Sequence, residues 1–325
     1  MVDVSIIVVA WNVRQLLYNC LKSVYDQTEG IDFEVIYVDN ASEDGSVDMV
    51  RREFPEVRII ENERNEGFIR ANNQAIGIAE GRYVLLLNSD TVVLDNAIAE
   101  TVKFADEHTD AAVVGCRVLN PDGTLQRNCF MSHSVLNLFL SATYLYKVFP
   151  KNEFFGREDM TWWNFDEVRE VEVVNGCFAL VRKEAIEQVG LMDETYFVYG
   201  DDQDWCYRFR EAGWKVMFTP KPQIIHYRGQ TTKKQRSGDF KLQLYGSMLI
   251  FMKLHRNRLA FPFARLLLAL FFFLRVPYWL VVGVINKNVR DQSLKTAATY
   301  VMGGVHCLGD WRELLMNKQA VAGRL

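Results

Sequence analysis

The chain has 325 residues, 49% of them hydrophobic, enough to build one large core or two smaller ones, which excludes a disordered or fibrous chain. A formal net charge of −4 offers no long-range attraction to nucleic acid, and no nucleic-acid partner is expected. The cysteines (Cys20, Cys116, Cys129, Cys177, Cys206 and Cys307) form no CxxC pair, which fits neither a zinc ribbon nor a small disulfide-framed secreted domain, and a reducing compartment is the simpler reading.

Met1 leads directly into an alternating apolar run without the basic stretch, apolar core and cleavage site of a signal peptide, so the N-terminus is expected to stay in the cytoplasm. Residues 4–10 (VSIIVVA) are a nearly continuous β-branched run, the pattern of a strand buried on both faces. Leu16, Leu17, Cys20, Leu21 and Val24 then recur at helical spacing within 13–27. A strand over 33–38 ends at Asp39-Asn40, and Ser46 is placed to cap a helix over VDMVRREF. A strand over 57–60, a helix over 68–79 and a strand over 82–87 complete a β-α-β-α-β-α-β alternation. This predicts an α/β fold with an open, mostly parallel sheet flanked by helices, in which ligands bind beyond the carboxyl ends of the strands. Those ends are Ala10-Trp11-Asn12, Asp39-Asn40 and Asn88-Ser89-Asp90. A helix from about Asp95, a strand over 112–119 and a tight turn at Asn120-Pro-Asp-Gly123 follow. Residues 129–170 show no period. EVEVVNGCFALV reads as one strand, 202–212 as a helix, and 214–219 as a last strand before Ile224-Ile225-His226.

From Phe240 to Arg290 there are eight Lys or Arg residues and no Asp or Glu, around the apolar run 266–285. The run is about the ~20 residues a spanning helix needs. Arg275 sits at its middle, however, where an exposed charge costs ~2.5–3.5 kcal/mol. A basic, aromatic-rich helix or helical hairpin lying in the interface avoids that cost and gains attraction to anionic lipid. A buried core helix or an oligomer interface is the alternative.

Several residues carry candidate chemistry. Asp90 should project from a strand end, where a carboxylate suits Mg2+ or Mn2+ shared with substrate phosphates; alone it could equally cap the next helix. Asp39-Asn40 can accept hydrogen bonds from a nucleobase or ribose. Asn65-Glu66-Gly67-Phe68 opens a helix carrying Arg70, Asn72 and Asn73, which places amides and a cation near a nucleotide or simply makes a capped helix. No GxGxxG follows the first strand, which disfavours a dinucleotide site. Asp201, Asp202 and Asp204 crowd a helix start beside Trp205. Some of this charge complements the helix dipole, and one carboxylate, with its pKa raised by like charge, can act as general base. His226 ends another apolar run and is a candidate metal ligand.

In order, the motifs SIIVVAWN, VIYVDNASEDGS, NERNEGFIRANNQAI, GRYVLLLNSD, NGCFALVRKEAIEQVGLMDETYF and YGDDQDWCYRFREAGWKV closely resemble glycosyltransferase family 2, particularly its bacterial rhamnosyltransferase-like branch, over roughly residues 4–227. The resemblance implies a GT-A fold. It places Ala10, Trp11, Asn12, Asp39, Asn40, Asn65, Gly67, Phe68, Arg70, Asn72, Asn88 and Ser89 at the nucleotide-sugar site. Asp90 becomes the last member of a DxD-type motif that here reads Asn-Ser-Asp, and His226 stands where many members bind metal. Asp202 is the implied catalytic base with Asp201 as fallback, and Asn175, Gly176, Asp204 and Trp205 are expected at the acceptor. The implied reaction is metal-dependent (Mg2+ or Mn2+) inversion by direct displacement.

The resemblance suggests dTDP-rhamnose or a UDP-hexose as donor, and the basic apolar segment suggests a polyprenyl diphosphate-linked saccharide as acceptor, in cell-surface polysaccharide synthesis at the cytoplasmic face of the membrane. Residues 1–238 are expected to form the transferase domain, with 1–120 the donor half and 121–238 the acceptor half, and 239–325 a membrane-associating helical region. Homo-oligomerisation stays open. A nucleotidyltransferase and a non-catalytic nucleotide-sugar-binding membrane scaffold are the competing readings; the first lacks a Gly-rich basic loop, and intact Asp90, Asp202 and His226 weigh against the second.

Overall fold

A computed structural model describes residues 2–196, 199–228 and 238–315. Phe197, which ends the fifth motif, residues 316–325 and the side chains of Phe240 and Lys241 lie outside the described residues. The chain forms two compact units, the first made of Met1–Met131, Trp163–Glu194 and Asp201–Lys234, the second of Ser132–Trp162, Thr195–Gly200 and Gln235–Leu325.

The first unit is built on one mixed sheet. Its strands are β1 (Val4–Ala10), β2 (Phe33–Asp39), β3 (Arg58–Glu61), β4 (Tyr83–Leu87), β5 (Thr91–Val93), β6 (Ala111–Leu119), β7 (Leu125–Gln126), β9 (Arg169–Glu170), β11 (Phe178–Arg182) and β12 (Lys215–His226), while β8 (Cys129–Phe130) and β10 (Val173–Val174) pair separately. The order is β3-β2-β1-β4-β11-β6-β12-β5, with β7 beside β6 and β9 beside β12. Strands β1 to β4 are parallel, and β11 lies antiparallel between β4 and β6. Every residue of β4 is buried, as are all but one of β1, because helices cover a sheet whose central strands carry apolar side chains on both faces. In the helix Arg14–Gln27 the buried Leu17, Cys20, Leu21 and Val24 form the expected stripe. This α/β arrangement brings the carboxyl ends of β1, β2 and β4 to one edge of the sheet.

Three local expectations are corrected, and one unexpected strand is added. The helix Ser46–Glu53 is not capped by Ser46, because Gly45 occupies the N-cap at φ 76, a conformation that costs glycine little, and Asp44 Oδ1 accepts from the Ser46 N–H at 3.1 Å. The sequence 170–181 is not one strand. Its ladder breaks at 175–177, where Asn175 Oδ1 takes the Cys177 N–H at 3.1 Å and so competes with strand pairing. Residues 214–219 and 224–226 belong instead to the single strand β12, whose register slips between Thr219 and Gln223, where Pro220 and Pro222 supply no ladder donor. The short β5, unmarked by any hydrophobic period, pairs antiparallel with the end of β12 and sets Thr91 opposite His226.

The second unit is helical and includes Val135–Ala142 and Leu145–Val148 from the aperiodic stretch, together with Gly238–His255 and Arg290–Leu308. By length and composition Ala260–Ile285 could cross a bilayer, but its backbone is two helices, Ala260–Phe273 and Val276–Ile285. The break at Leu274-Arg275 precedes Pro277, which can sit only in the first turn of a helix without losing a hydrogen bond. Both pieces pack along Arg290–Leu308, where Gly303 and Gly304 leave room for Phe272 and Phe273. Arg275 is 6% exposed: it donates to Phe271 O (2.8 Å) and Ser141 O (3.2 Å) and lies over the rings of Phe271 and Tyr144. Its charge is therefore satisfied inside the unit rather than presented to lipid.

Candidate active site

The edge formed by the ends of β1, β2 and β4 holds most of the expected donor residues. Ala10 closes β1 and Trp11 is half-buried beyond it. Asn12 is held at φ 54; its backbone N–H donates to Ser42 Oγ and its side-chain oxygen accepts from the Glu43 N–H. Asp39 is buried, accepting from the Tyr37 hydroxyl and from the Ser42 N–H at 2.8 Å. An ionised carboxylate has about four lone-pair sites, so two more acceptor positions remain for a ligand. Asn40 is fixed by its Nδ2 on Gly67 O (3.1 Å) and by the Asn62 amide on its oxygen (2.9 Å). Tyr37 and Asn62 were not singled out from sequence. Tyr37 had a legible signal, being two residues before Asp39 and so on the same strand face; Asn62 had none.

The loop 65–68 is held by Asn65 Oδ1 on the Gly67 N–H (2.9 Å), with Gly67 at φ 83 leading into the helix Phe68–Ile76. Phe68 lies close to Gly176. Arg70 is engaged by Glu66 (2.9 Å) and Glu194 (3.7 Å), and Asn72 is buried and bonds back to Phe68 O (2.8 Å). Asn73 clamps the chain at Met192 through both amide atoms, a packing role that joins two distant segments of this unit.

At the end of β4, Asn88 N–H donates to Cys177 O (3.1 Å), which ties the Asn175-Gly176-Cys177 turn to the same edge. Ser89 and Asp90 are buried, and Asp90 Oδ1 lies 3.1 Å from His226 Nε2. His226 Nδ1 in turn meets Gln126 Oε1 at 2.7 Å. Burial lowers the His226 pKa, but hydrogen bonds and charge from Asp90 and Cys177 together outweigh this and raise it to about 10. Among the described residues no three His, Cys, Asp or Glu side chains converge as a self-sufficient metal site. Asp90 and His226 nonetheless supply one hard oxygen and one imidazole nitrogen side by side, a pair that fits a divalent cation whose other ligands come from phosphate and water.

The acidic cluster starts the helix Asp201–Glu211. Asp202 accepts from Asn175 Nδ2 (3.0 Å) and from the Gln203 N–H (2.9 Å). Asp201 is buried, and burial followed by the negative charge of Asp202 raises its pKa to about 7. A carboxyl whose folded pKa lies above its unfolded value binds its proton more tightly in the folded state. Its contribution to stability is therefore favourable at low pH and declines as pH rises from about 4 towards 7, where a charge must be buried beside Asp202. Asp201→Asn should accordingly raise the melting temperature, and by more at pH 8 than at pH 4; equal gains at both values would show that Asp201 is not proton-linked.

Two expected acceptor contacts take other partners. Asp204 is inside the unit and bound by Arg208 at 2.7 Å, and Arg208 also holds Leu191 O. Trp205 is 4% exposed, donates to Gly190 O (3.0 Å) and packs on Phe209. Helical spacing puts these side chains with Asp201 on the face turned to the core, whereas Asp202 is half-buried. All six cysteines are buried and unbridged.

A mostly parallel sheet with an acidic strand end beside a histidine, and a second carboxylate held at the same edge, defines a GT-A-type fold. Two solved structures share it: the mannosyltransferase PcManGT from Pyrobaculum calidifontis in complex with GDP-Man and Mn2+ (TM-score 0.53, 19% identity, covering 95% of this chain and 87% of that one), and GalNAc-T7 with UDP, GalNAc and Mn2+ (TM-score 0.52, 17% identity, covering 70% and 43%). The chain belongs to glycosyltransferase family 2, whose model, Glycosyl transferase family 2, matches residues 5–190. It is similar to the N-acetylglucosaminyl-diphospho-decaprenol L-rhamnosyltransferase of Mycobacterium tuberculosis, 27% identical over 209 residues that cover 61% of this chain and 67% of the relative.

Proposed function

We propose that this family 2 enzyme is an inverting, divalent-metal-dependent hexosyltransferase that moves rhamnose from dTDP-rhamnose, or a hexose from a UDP-sugar, to a polyprenyl diphosphate-linked saccharide in cell-surface polysaccharide synthesis. The observation that carries the reading is the convergence at one sheet edge of the Asp90–His226 pair and the Asn175-held Asp202. The lipid-linked acceptor and the rhamnosyl donor are supported by the mycobacterial relative, and the nucleotide-sugar and Mn2+ by the two solved structures.

Residues 1–120 serve the donor in this reading. Asp39 and Asn40 accept and donate hydrogen bonds to the nucleoside, and the 65–72 segment and Asn88-Ser89 flank it. Asp90 and His226 would hold the Mg2+ or Mn2+, which when bound neutralises the diphosphate charge. Residues 121–238 serve the acceptor. Asp202 removes the proton of the acceptor hydroxyl as its oxygen bonds to the anomeric carbon and the bond to the nucleoside diphosphate breaks with its electrons. Asn175 fixes one Asp202 oxygen, which leaves the carboxylate aimed rather than free to rotate. Asp201, whose pKa burial and the Asp202 charge raise to about 7, holds its proton further into the neutral range than an ordinary carboxyl and so limits a second charge beside Asp202. Release of nucleoside diphosphate from a panel of donors, with and without lipid-linked acceptor, followed by product analysis, tests the reading. Release from no donor would defeat it.

Residues 239–325 bind the cytoplasmic face of the membrane in this proposal. The two-piece helix exposes Phe263, Leu266, Leu270, Leu280, Val284 and Ile285, and Arg258, Lys287, Arg290 and Lys295 are exposed on the same segment, a composition suited to an anionic interface. The full chain should float with vesicles containing phosphatidylglycerol and much less with phosphatidylcholine alone, and the double variant Phe263→Asp/Leu266→Asp should stay in the soluble fraction. Equal flotation of wild type and variant would remove this face from the role.

A further inference from the structure

We infer that Gln126 is a positioning residue that fixes the tautomer of His226 and thereby presents His226 Nε2 to a divalent cation. Gln126 lies in the two-residue strand β7 and is 6% exposed. Its Nε2 donates twice, to the backbone oxygen of His226 at 3.0 Å and to Asn120 Oδ1 at 2.8 Å. An amide nitrogen has two protons, so both are used. The orientation of the amide is thereby decided: reversing it would face Oε1 to two acceptors and waste both donors. With Nε2 so committed, Oε1 must be the atom at 2.7 Å from His226 Nδ1, and a carbonyl oxygen can only accept. Nδ1 therefore keeps a proton in either protonation state of the ring, and Nε2, which faces Asp90 Oδ1 at 3.1 Å, is the nitrogen that gives up its proton to bind a cation.

A neutral imidazole coordinates metal through its unprotonated nitrogen, and the partner on the other nitrogen selects which one that is. Gln126 performs this selection from both sides, holding the ring at Nδ1 and the chain at the His226 carbonyl. Asn120, in the turn closed by the Gly123 N–H on Asn120 O (2.9 Å), anchors the amide in turn. The NPDG turn thus supports the site edge through Asn120, Gln126 and His226, a connection spanning one hundred residues between Gln126 and His226.

The inference rests on the reading of Asp90 and His226 as metal ligands, and its test separates the two. Mn2+ is titrated into the full chain in the presence of UDP or dTDP, and the histidine side chains are observed by 1H–15N NMR with selectively labelled protein. Gln126→Met keeps the volume but offers Nδ1 no oxygen; Gln126→Glu keeps an acceptor for Nδ1 but loses the donors to His226 O and Asn120. In wild type and Gln126→Glu the His226 Nδ1–H should give a slowly exchanging cross-peak and similar Mn2+ half-saturation, whereas Gln126→Met should lose the cross-peak and need about 10–100-fold more Mn2+. A purely structural role predicts the opposite order, since a buried carboxylate facing two acceptors disturbs the packing more than Met. The inference is overturned if Gln126→Met retains the Nδ1–H cross-peak, or if Gln126→Glu loses Mn2+ affinity as much as Gln126→Met does. If wild type binds UDP and dTDP identically with and without Mn2+, the metal reading fails, and the NMR comparison alone decides the role of Gln126.

Discussion

Asp202→Asn lowers turnover by about 10²–10⁴-fold, the range a positioned general base contributes, while donor binding stays within about twofold of wild type. The reason is geometric. Asp202 is half-buried at the start of its helix, with one oxygen held by Asn175 Nδ2 and the other by the Gln203 N–H, so an amide of the same shape can keep part of the network but cannot take a proton. Asp201→Asn is the matched comparison. Asp201 is buried with its pKa raised to about 7, and its replacement removes a proton-linked charge while leaving the half-buried Asp202 carboxylate in place. Single-turnover rates and donor affinity for both variants check the assignment. Retained turnover in Asp202→Asn with loss in Asp201→Asn would exchange their roles.

Asp90→Ala abolishes the metal dependence of donor binding, costing about 3 kcal/mol or ~10²-fold in affinity when Mn2+ is present and little in its absence. Asp90 is buried against His226, and among the described residues no group of three His, Cys, Asp or Glu side chains is placed to hold a metal ion, so each of the pair carries a large share of the protein's hold on a cation. The same sparseness predicts weak cation binding without nucleotide, since two protein ligands leave most positions of an octahedral ion to phosphate and water. Calorimetric titration of UDP or dTDP with and without Mn2+ gives both comparisons. Identical donor affinity of wild type and Asp90→Ala in the presence of Mn2+ would take Asp90 out of the metal site.

Much of the first unit was legible because its determinants are local. The run VSIIVVA and the stripe Leu17, Cys20, Leu21, Val24 each state a period, and the structure keeps β1 and the first helix almost to the residue. The strand ends followed, since a chain alternating strand and helix leaves its polar turns at one edge, and Asp39 and Asp90 are found there. The readings that changed involve residues whose partners are remote or whose elements are short. Strand β5 has three residues and no period of its own, and it exists because the end of β12 pairs with it. Asp204 and Trp205 follow Asp202 within three residues, but they share with the buried Asp201 the i, i+3, i+4 face of the helix, and a helix turns by about 100° per residue, so Asp202 faces different surroundings from Asp201 beside it. Arg275 read as a charge in an apolar run, and only the packing of Phe271, Tyr144 and Ser141 around it shows where that charge is satisfied.

The amino-acid sequence by itself determined the α/β class, the order of most strands and helices along the chain, and the motifs that place it in family 2. Hydrophobic period and turn chemistry act over a few residues and can be read wherever they occur. Only the tertiary structure decided that Asp90 meets His226, that Asn175 holds Asp202, and that Gln126 orients His226 from a hundred residues away. Those pairings depend on strand order and register, which are set by how the whole sheet buries its faces, and no local pattern encodes them.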